Sequence, residues 1–87
     1  MHYKRLLDTP YRVNIRTIFA QNLRRLRAER ELSQDRLAQR VGMDRTYVSQ
    51  LERGMCGATI DMVAKLADAF GVEPASMLER KPYWLKK

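Results

Sequence analysis

The chain predicts an all-α domain of five helices, and three observations carry that prediction. Apolar residues recur at helical spacing, as in Ile18, Phe19, Leu23 and Leu26, and no stretch alternates as a half-buried strand would. Residues suited to starting a helix, Ser33, Asp44 and Thr59, stand just ahead of the periodic runs. Glycines 42, 54 and 71 stand just behind them, where a left-handed residue closes a helix at little cost. A chain of 87 residues allows one core, because a chain of this size buries only roughly 60 to 65% of its unfolded surface.

The elements follow in order. The spacing predicts a first helix from about Arg16 to Glu31, with Leu32 turning the chain. Ser33 then caps a second helix whose stripe is Leu37, Ala38 and Val41, ended by Gly42. Asp44 caps the third and Gly54 ends it; the stretch Met55 to Ala58 leads to Thr59, the cap of a fourth helix. Ile60, Val63, Leu66, Ala67 and Phe70 give that fourth helix its apolar face, and Gly71 closes it. Glu73 and Pro74 read as the cap and first position of a short fifth helix holding Met77 and Leu78. The methionines at 43, 55, 62 and 77 read as core filling.

Seventeen Lys and Arg against ten Asp and Glu give a net charge of +7, and its placement is uneven. Residues 1 to 17 carry Lys4, Arg5, Arg12 and Arg16 against Asp8, and residues 79 to 87 carry Arg80, Lys81, Lys86 and Lys87 against Glu79. Residues 21 to 54 hold eight arginines against five acids, whereas residues 55 to 78 hold only Lys65 against Asp61, Asp68 and Glu73. The basic charge thus sits on the termini and on the second and third helices, as expected of surfaces that meet a polyanion.

Other classes find little support. A single cysteine, Cys56, forms no internal disulfide and belongs to no Cys/His cluster of metal-site spacing; it reads as packing under its loop rather than as a redox switch. There is no apolar run of membrane-spanning or signal-peptide length, which makes the cytoplasm the default compartment. One histidine, His2, no recognisable pair of catalytic carboxylates and no glycine-rich phosphate loop argue against an enzyme and imply no cofactor and no metal.

The stretch from Ser33 to Gly54 is the informative part. Two short amphipathic helices hinge at Gly42, and on the second one Arg45, Thr46, Ser49 and Gln50 share a face opposite Val48 and Leu51. Val48 and Leu51 can anchor that helix to a core while the polar face meets base edges of double-stranded DNA. Arg45 and Gln50 each have the geometry for two hydrogen bonds to one base, arginine favouring guanine and glutamine favouring adenine.

Leu-Ser-Gln-x-x-Leu-Ala from Leu32 to Ala38, Gly42, Val-Ser-Gln-Leu-Glu-Arg-Gly from Val48 to Gly54, and Leu-Ala-x-x-Phe-Gly-Val from Leu66 to Val72 together resemble one family. It is the Cro/CI-type, XRE-like helix-turn-helix domain of phage repressors and bacterial regulators, and the resemblance runs from about Phe19 to Leu78. It implies a five-helix lambda-repressor-like domain with N-terminal and C-terminal extensions. It implies further that Gln34 and Arg53 meet DNA phosphates, and that Arg45, Thr46, Ser49 and Gln50 read bases. Tyr47 either lies against sugar and phosphate or fills the edge of the core. Arg27 and Glu52 match a pair that bridges the first helix to the reading helix. Relatives dimerise near the fifth helix, which here points to Val72, Met77 and Leu78 with Tyr83 and Trp84, and implies a homodimer on a pseudo-palindromic operator. The small size is similar to phage Cro-like repressors or restriction-modification controllers, which implies a bacterial or phage-encoded regulator. One departure is the loop Met55-Cys56-Gly57-Ala58, where relatives carry polar or basic residues followed by Asn and Pro.

The expected organisation is an N-terminal extension over residues 1–17, the DNA-binding domain over 18–78 and a basic aromatic tail over 79–87. The extension interleaves Tyr3, Leu6, Leu7, Tyr11, Val13 and Ile15 with basic residues, so the alternatives are that it packs on the domain or a dimer partner, that it follows DNA as an arm, or that it is disordered. Pro82, Tyr83, Trp84 and Leu85 suggest a dimer contact. Two other readings stay open: an antitoxin-type autoregulator whose termini bind a protein toxin, and an interaction module that sequesters another regulator.

Overall fold

The computed structural model describes residues 14–81 of the chain. Most of the N-terminal extension, with His2, and the aromatic tail, with Tyr83 and Trp84, lie outside the described residues, as does any protein partner sought through them.

Helix α1 spans Ile15–Glu29. Its cap is Asn14, whose side chain accepts from the Thr17 amide at 3.3 Å, so residues 15 to 17 of the expected extension belong to the helix. The helix stops two residues before its expected end because Glu31 takes a left-handed φ of 54°. That reversal lets the Leu32 amide donate back to the Arg27 carbonyl at 3.1 Å.

Helix α2 spans Gln34–Val41 and helix α3 spans Arg45–Glu52. The expected caps are in place: Ser33 accepts from the Arg36 amide at 3.0 Å, and Asp44 from the Thr46 amide at 3.3 Å. Between the helices Gly42 has φ 71°, and the Met43 amide closes back onto the Ala38 carbonyl at 2.8 Å. A Cβ at Gly42 would meet nothing within 4 Å. Glycine is needed there for its backbone conformation and not for space.

Helix α4 spans Ile60–Phe70, capped by Thr59 through the Met62 amide at 3.0 Å. The expected fifth helix does not form as an α-helix. Among the described residues there are four α-helices, and Pro74–Leu78 is a short 3₁₀ turn. Pro74 supplies no amide hydrogen, and Glu73 makes no side-chain cap. The Glu73 carbonyl is already taken by the Ser76 amide at 3.0 Å and the Ser76 hydroxyl at 2.7 Å, an i to i+3 pattern that stops after one turn.

Around one core, α1 packs on α3 and on the 3₁₀ turn, α2 packs on α3 and α4, and α4 packs on the 3₁₀ turn. Leu23, Leu37, Val48, Leu51, Leu66 and Met77 are fully buried there. Three expectations change. Met77, read both as core filling and as a dimer contact, has 0% of its surface exposed because the 3₁₀ turn folds it into the core, which fits the first reading and leaves nothing for a second subunit. Ile60 is 87% exposed, since it sits at the first position of α4, beyond the edge of the domain. Met55 is exposed as well, whereas Cys56, Met43 and Met62 pack against the core as expected.

Two long-range clamps were not anticipated. Asn22 on α1 is buried and donates to the Met77 carbonyl at 2.8 Å and the Glu79 carbonyl at 2.9 Å, holding the 3₁₀ turn against α1. Arg30 donates to the Phe70 carbonyl at 2.6 Å while its guanidinium lies 5.3 Å from the centre of the Phe70 ring, tying the end of α4 to the end of α1. Among the described residues every buried side-chain nitrogen and oxygen has a hydrogen-bond partner, and no helix is long and apolar enough to cross a membrane.

Candidate nucleic-acid interface

Helix α3 divides its residues between two faces. Val48 and Leu51 are fully buried against α1 and α2, so the helix is held along its length by apolar packing. Its other face carries Arg45 and Thr46, both exposed, and Ser49 and Gln50, both half-buried. Arg45, Thr46 and Ser49 are brought together with Gln34, from the first turn of α2, around a shallow open cavity of about 170 Å³. Gln50 shares the helix face but does not line that cavity.

The side chains expected at phosphates lie in different settings. Arg53, just past the end of α3, is exposed, and its backbone amide donates to the Ser49 carbonyl at 3.1 Å. Tyr47 is half-buried, with part of its side chain packed against the core and the rest open to solvent. Gln34 is half-buried, with its Nε2 donating to Glu52 Oε1 at 3.0 Å.

Behind the polar face of α3, Arg27 and Glu52 form a two-pronged bridge. Arg27 Nε donates to Glu52 Oε2 at 2.6 Å and Nη2 to Oε1 at 3.0 Å, while Nη1 donates to the Leu32 carbonyl at 2.8 Å. Glu52 is only 3% exposed. The hydrogen bonds to Glu52 and its negative charge raise the Arg27 pKa above its already high ordinary value, outweighing the desolvation that lowers it. The same bridge is reinforced by Arg24, whose guanidinium donates to the Glu52 backbone carbonyl. Sequence reasoning missed Arg24. The helical phase of α1 puts it one turn before Arg27 and Ala28, and that spacing was the available signal.

A buried helix edge, a capped tight turn and a reading helix with a polar outer face make a DNA-binding helix-turn-helix unit, and the comparisons agree. The chain belongs to the helix-turn-helix domain family, whose profile matches residues 18–80. It is a DNA-binding transcription regulator of the XRE-like type. It is similar to the control protein C.BamHI of Bacillus amyloliquefaciens, with 37% identity over 67 residues covering 76% of this chain and 83% of that one. Among solved structures it is similar to the hypothetical transcription factor NHTF from Neisseria, with 36% identity, TM-score 0.73 and 76% of each chain covered. It is also similar to the restriction-modification controller protein C.AhdI from Aeromonas hydrophila, with 40% identity, TM-score 0.68, and 71% of this chain and 94% of that one covered.

Proposed function

We propose that the protein is a sequence-specific regulator of the restriction-modification controller type, which binds a pseudo-palindromic operator as a homodimer and reads it through the major groove. The observation that supports this best is the division of α3: buried Val48 and Leu51 hold a helix whose opposite face presents Arg45, Thr46 and Ser49 beside Gln34. In this reading Arg45, Thr46, Ser49 and Gln50 contact base edges, and Gln34 and Arg53 contact phosphates. Arg45 and Thr46 are exposed in the first turn of α3, the part of a reading helix that enters the groove first.

One such helix reads only a few base pairs, so a unique address requires two half-sites about 34 Å apart on one face of the DNA. The contact between subunits is proposed to use Val72 and Leu78 with Tyr83 and Trp84. Supporting it, Leu78 is 41% exposed and lines an apolar cavity of about 140 Å³ with Ile15, Phe19, Ala58 and Val63.

The test is selection of bound duplexes from a random pool at about 150 mM salt, where nonspecific binding is weak. An inverted repeat is expected, and Arg45→Ala should relax the preference at one position of each half-site by about 1 to 3 kcal/mol. Folded, dimeric protein that enriches no motif would overturn the reading. If the dimer covers about 6 to 10 phosphates, its affinity falls roughly 10³ to 10⁵-fold between about 50 and 200 mM salt.

A further inference from the structure

The Glu52 carboxylate has more partners than a bridge to α1 needs. Its Oε1 accepts from Arg27 Nη2 and from Gln34 Nε2, each at 3.0 Å, so one buried oxygen joins α1, α2 and α3. Gln34 is also the α2 residue that lines the cavity beside Arg45, Thr46 and Ser49. A carboxylate only accepts hydrogen bonds. It therefore holds the Gln34 carboxamide with its nitrogen inward and selects one of the two amide flips. The Glu52 bond uses one Nε2 hydrogen and leaves the second for a ligand.

We infer that Glu52 is a positioning residue for DNA recognition: its buried Oε1 fixes the Gln34 carboxamide so that the remaining N–H is presented at the reading face to an oxygen of the DNA backbone. The inference rests on the DNA-binding reading above. A free glutamine is rich in rotamers, and ordering it at the moment of binding weakens the complex; here the ordering is done in the unbound protein. Arg27 completes the device. Its two hydrogen bonds fix the carboxylate in turn, and with Arg24 on the Glu52 carbonyl it places positive charge behind an acid that would otherwise repel a phosphate. The orientation of one DNA contact is thereby tied to the docking of the reading helix.

The experiment is a double-mutant cycle with Gln34→Ala and Glu52→Leu, which removes both acceptor oxygens, measured as affinity for the selected operator duplex and corrected for the folded fraction of each variant. Each single change is expected to weaken binding about ten-fold, the loss of one hydrogen bond to a charged group, and the double variant to bind about as the weaker single one does. Losses that multiply to about a hundred-fold would overturn the inference. An affinity unchanged by Glu52→Leu would overturn it as well, since a purely structural Glu52 changes only the folded fraction. Should Glu52→Leu not fold, ¹⁵N relaxation of the Gln34 side-chain amide in the unbound wild-type protein decides. An order parameter above about 0.6 is expected, and a lower value overturns the inference. A wild-type protein that selects no duplex removes the DNA-binding reading and this inference together. A selected duplex with multiplicative losses removes the inference alone.

Discussion

Replacing Asn22 with alanine removes the donor that holds the 3₁₀ turn against α1. Two of its hydrogen bonds, to Met77 and Glu79 at 2.8 and 2.9 Å, have good geometry, while the contact to the Ser76 carbonyl at 3.5 Å is too long to weigh equally. Each well-formed bond contributes about 1 kcal/mol net, and the Met77 carbonyl left behind in a buried site raises the cost, so the loss comes to about 2 to 3 kcal/mol. For a domain of this size that is a fall in Tm of about 10 to 20 °C. Urea titration followed by far-UV circular dichroism measures it directly. Asn22→Leu is the control for volume, because leucine refills the space but offers no donor, and it is expected to recover little of the loss. A destabilisation by Asn22→Ala below about 0.5 kcal/mol, in the range of an ordinary surface change, would refute the clamp. A leucine variant as stable as wild type would show that packing, and not the donated hydrogen bonds, holds the turn.

Three further outcomes are expected. Glu31→Gly relieves an L-residue held at φ 54°, and after the entropy of a glycine in the unfolded chain is subtracted, it stabilises the protein by about 0.5 kcal/mol in the same titration; destabilisation would contradict it. Arg27→Met leaves the Glu52 carboxylate buried beside Gln34 alone and costs about 3 to 5 kcal/mol, most of which Arg27→Met combined with Glu52→Leu restores. If the pair of changes is no more stable than Arg27→Met, the loss does not come from an orphaned charge. Ile60→Glu changes the unfolding free energy from the same urea titration by no more than about 0.5 kcal/mol, because its side chain lies outside the core; a core-sized loss would restore Ile60 to the apolar stripe.

What was legible in the sequence was local. Ser33, Asp44 and Thr59 cap their helices because a short oxygen-bearing side chain needs only the amides two or three residues on, and that geometry is fixed by sequence spacing. The pairing of Arg27 with Glu52 was legible only through the family resemblance, since nothing in the sequence between two residues 25 apart dictates it. Asn22 and Arg30 were illegible for the same reason, as their carbonyl partners lie up to 57 and 40 residues away. Periodicity also misplaced residues at the ends of elements. Ile60 keeps the helical phase of Val63 and Ala67, but phase does not say that the first residue of α4 projects past the core. Leu78 and Met77 are neighbours with opposite fates, exposed and buried, and only the tight 3₁₀ geometry separates them.

The two-sidedness of α3 makes the helix an exchangeable cassette. Val48, Leu51 and Glu52 serve the fold, through apolar packing and the contacts of Glu52 with three other side chains. Arg45 and Thr46 take no part in that scaffold beyond the Thr46 amide at its cap. Under the proposed reading, the outer face of the helix can therefore be edited while the frame stays intact. A regulator built this way can acquire a new operator by a few substitutions on its outer face, without passing through an unfolded intermediate sequence.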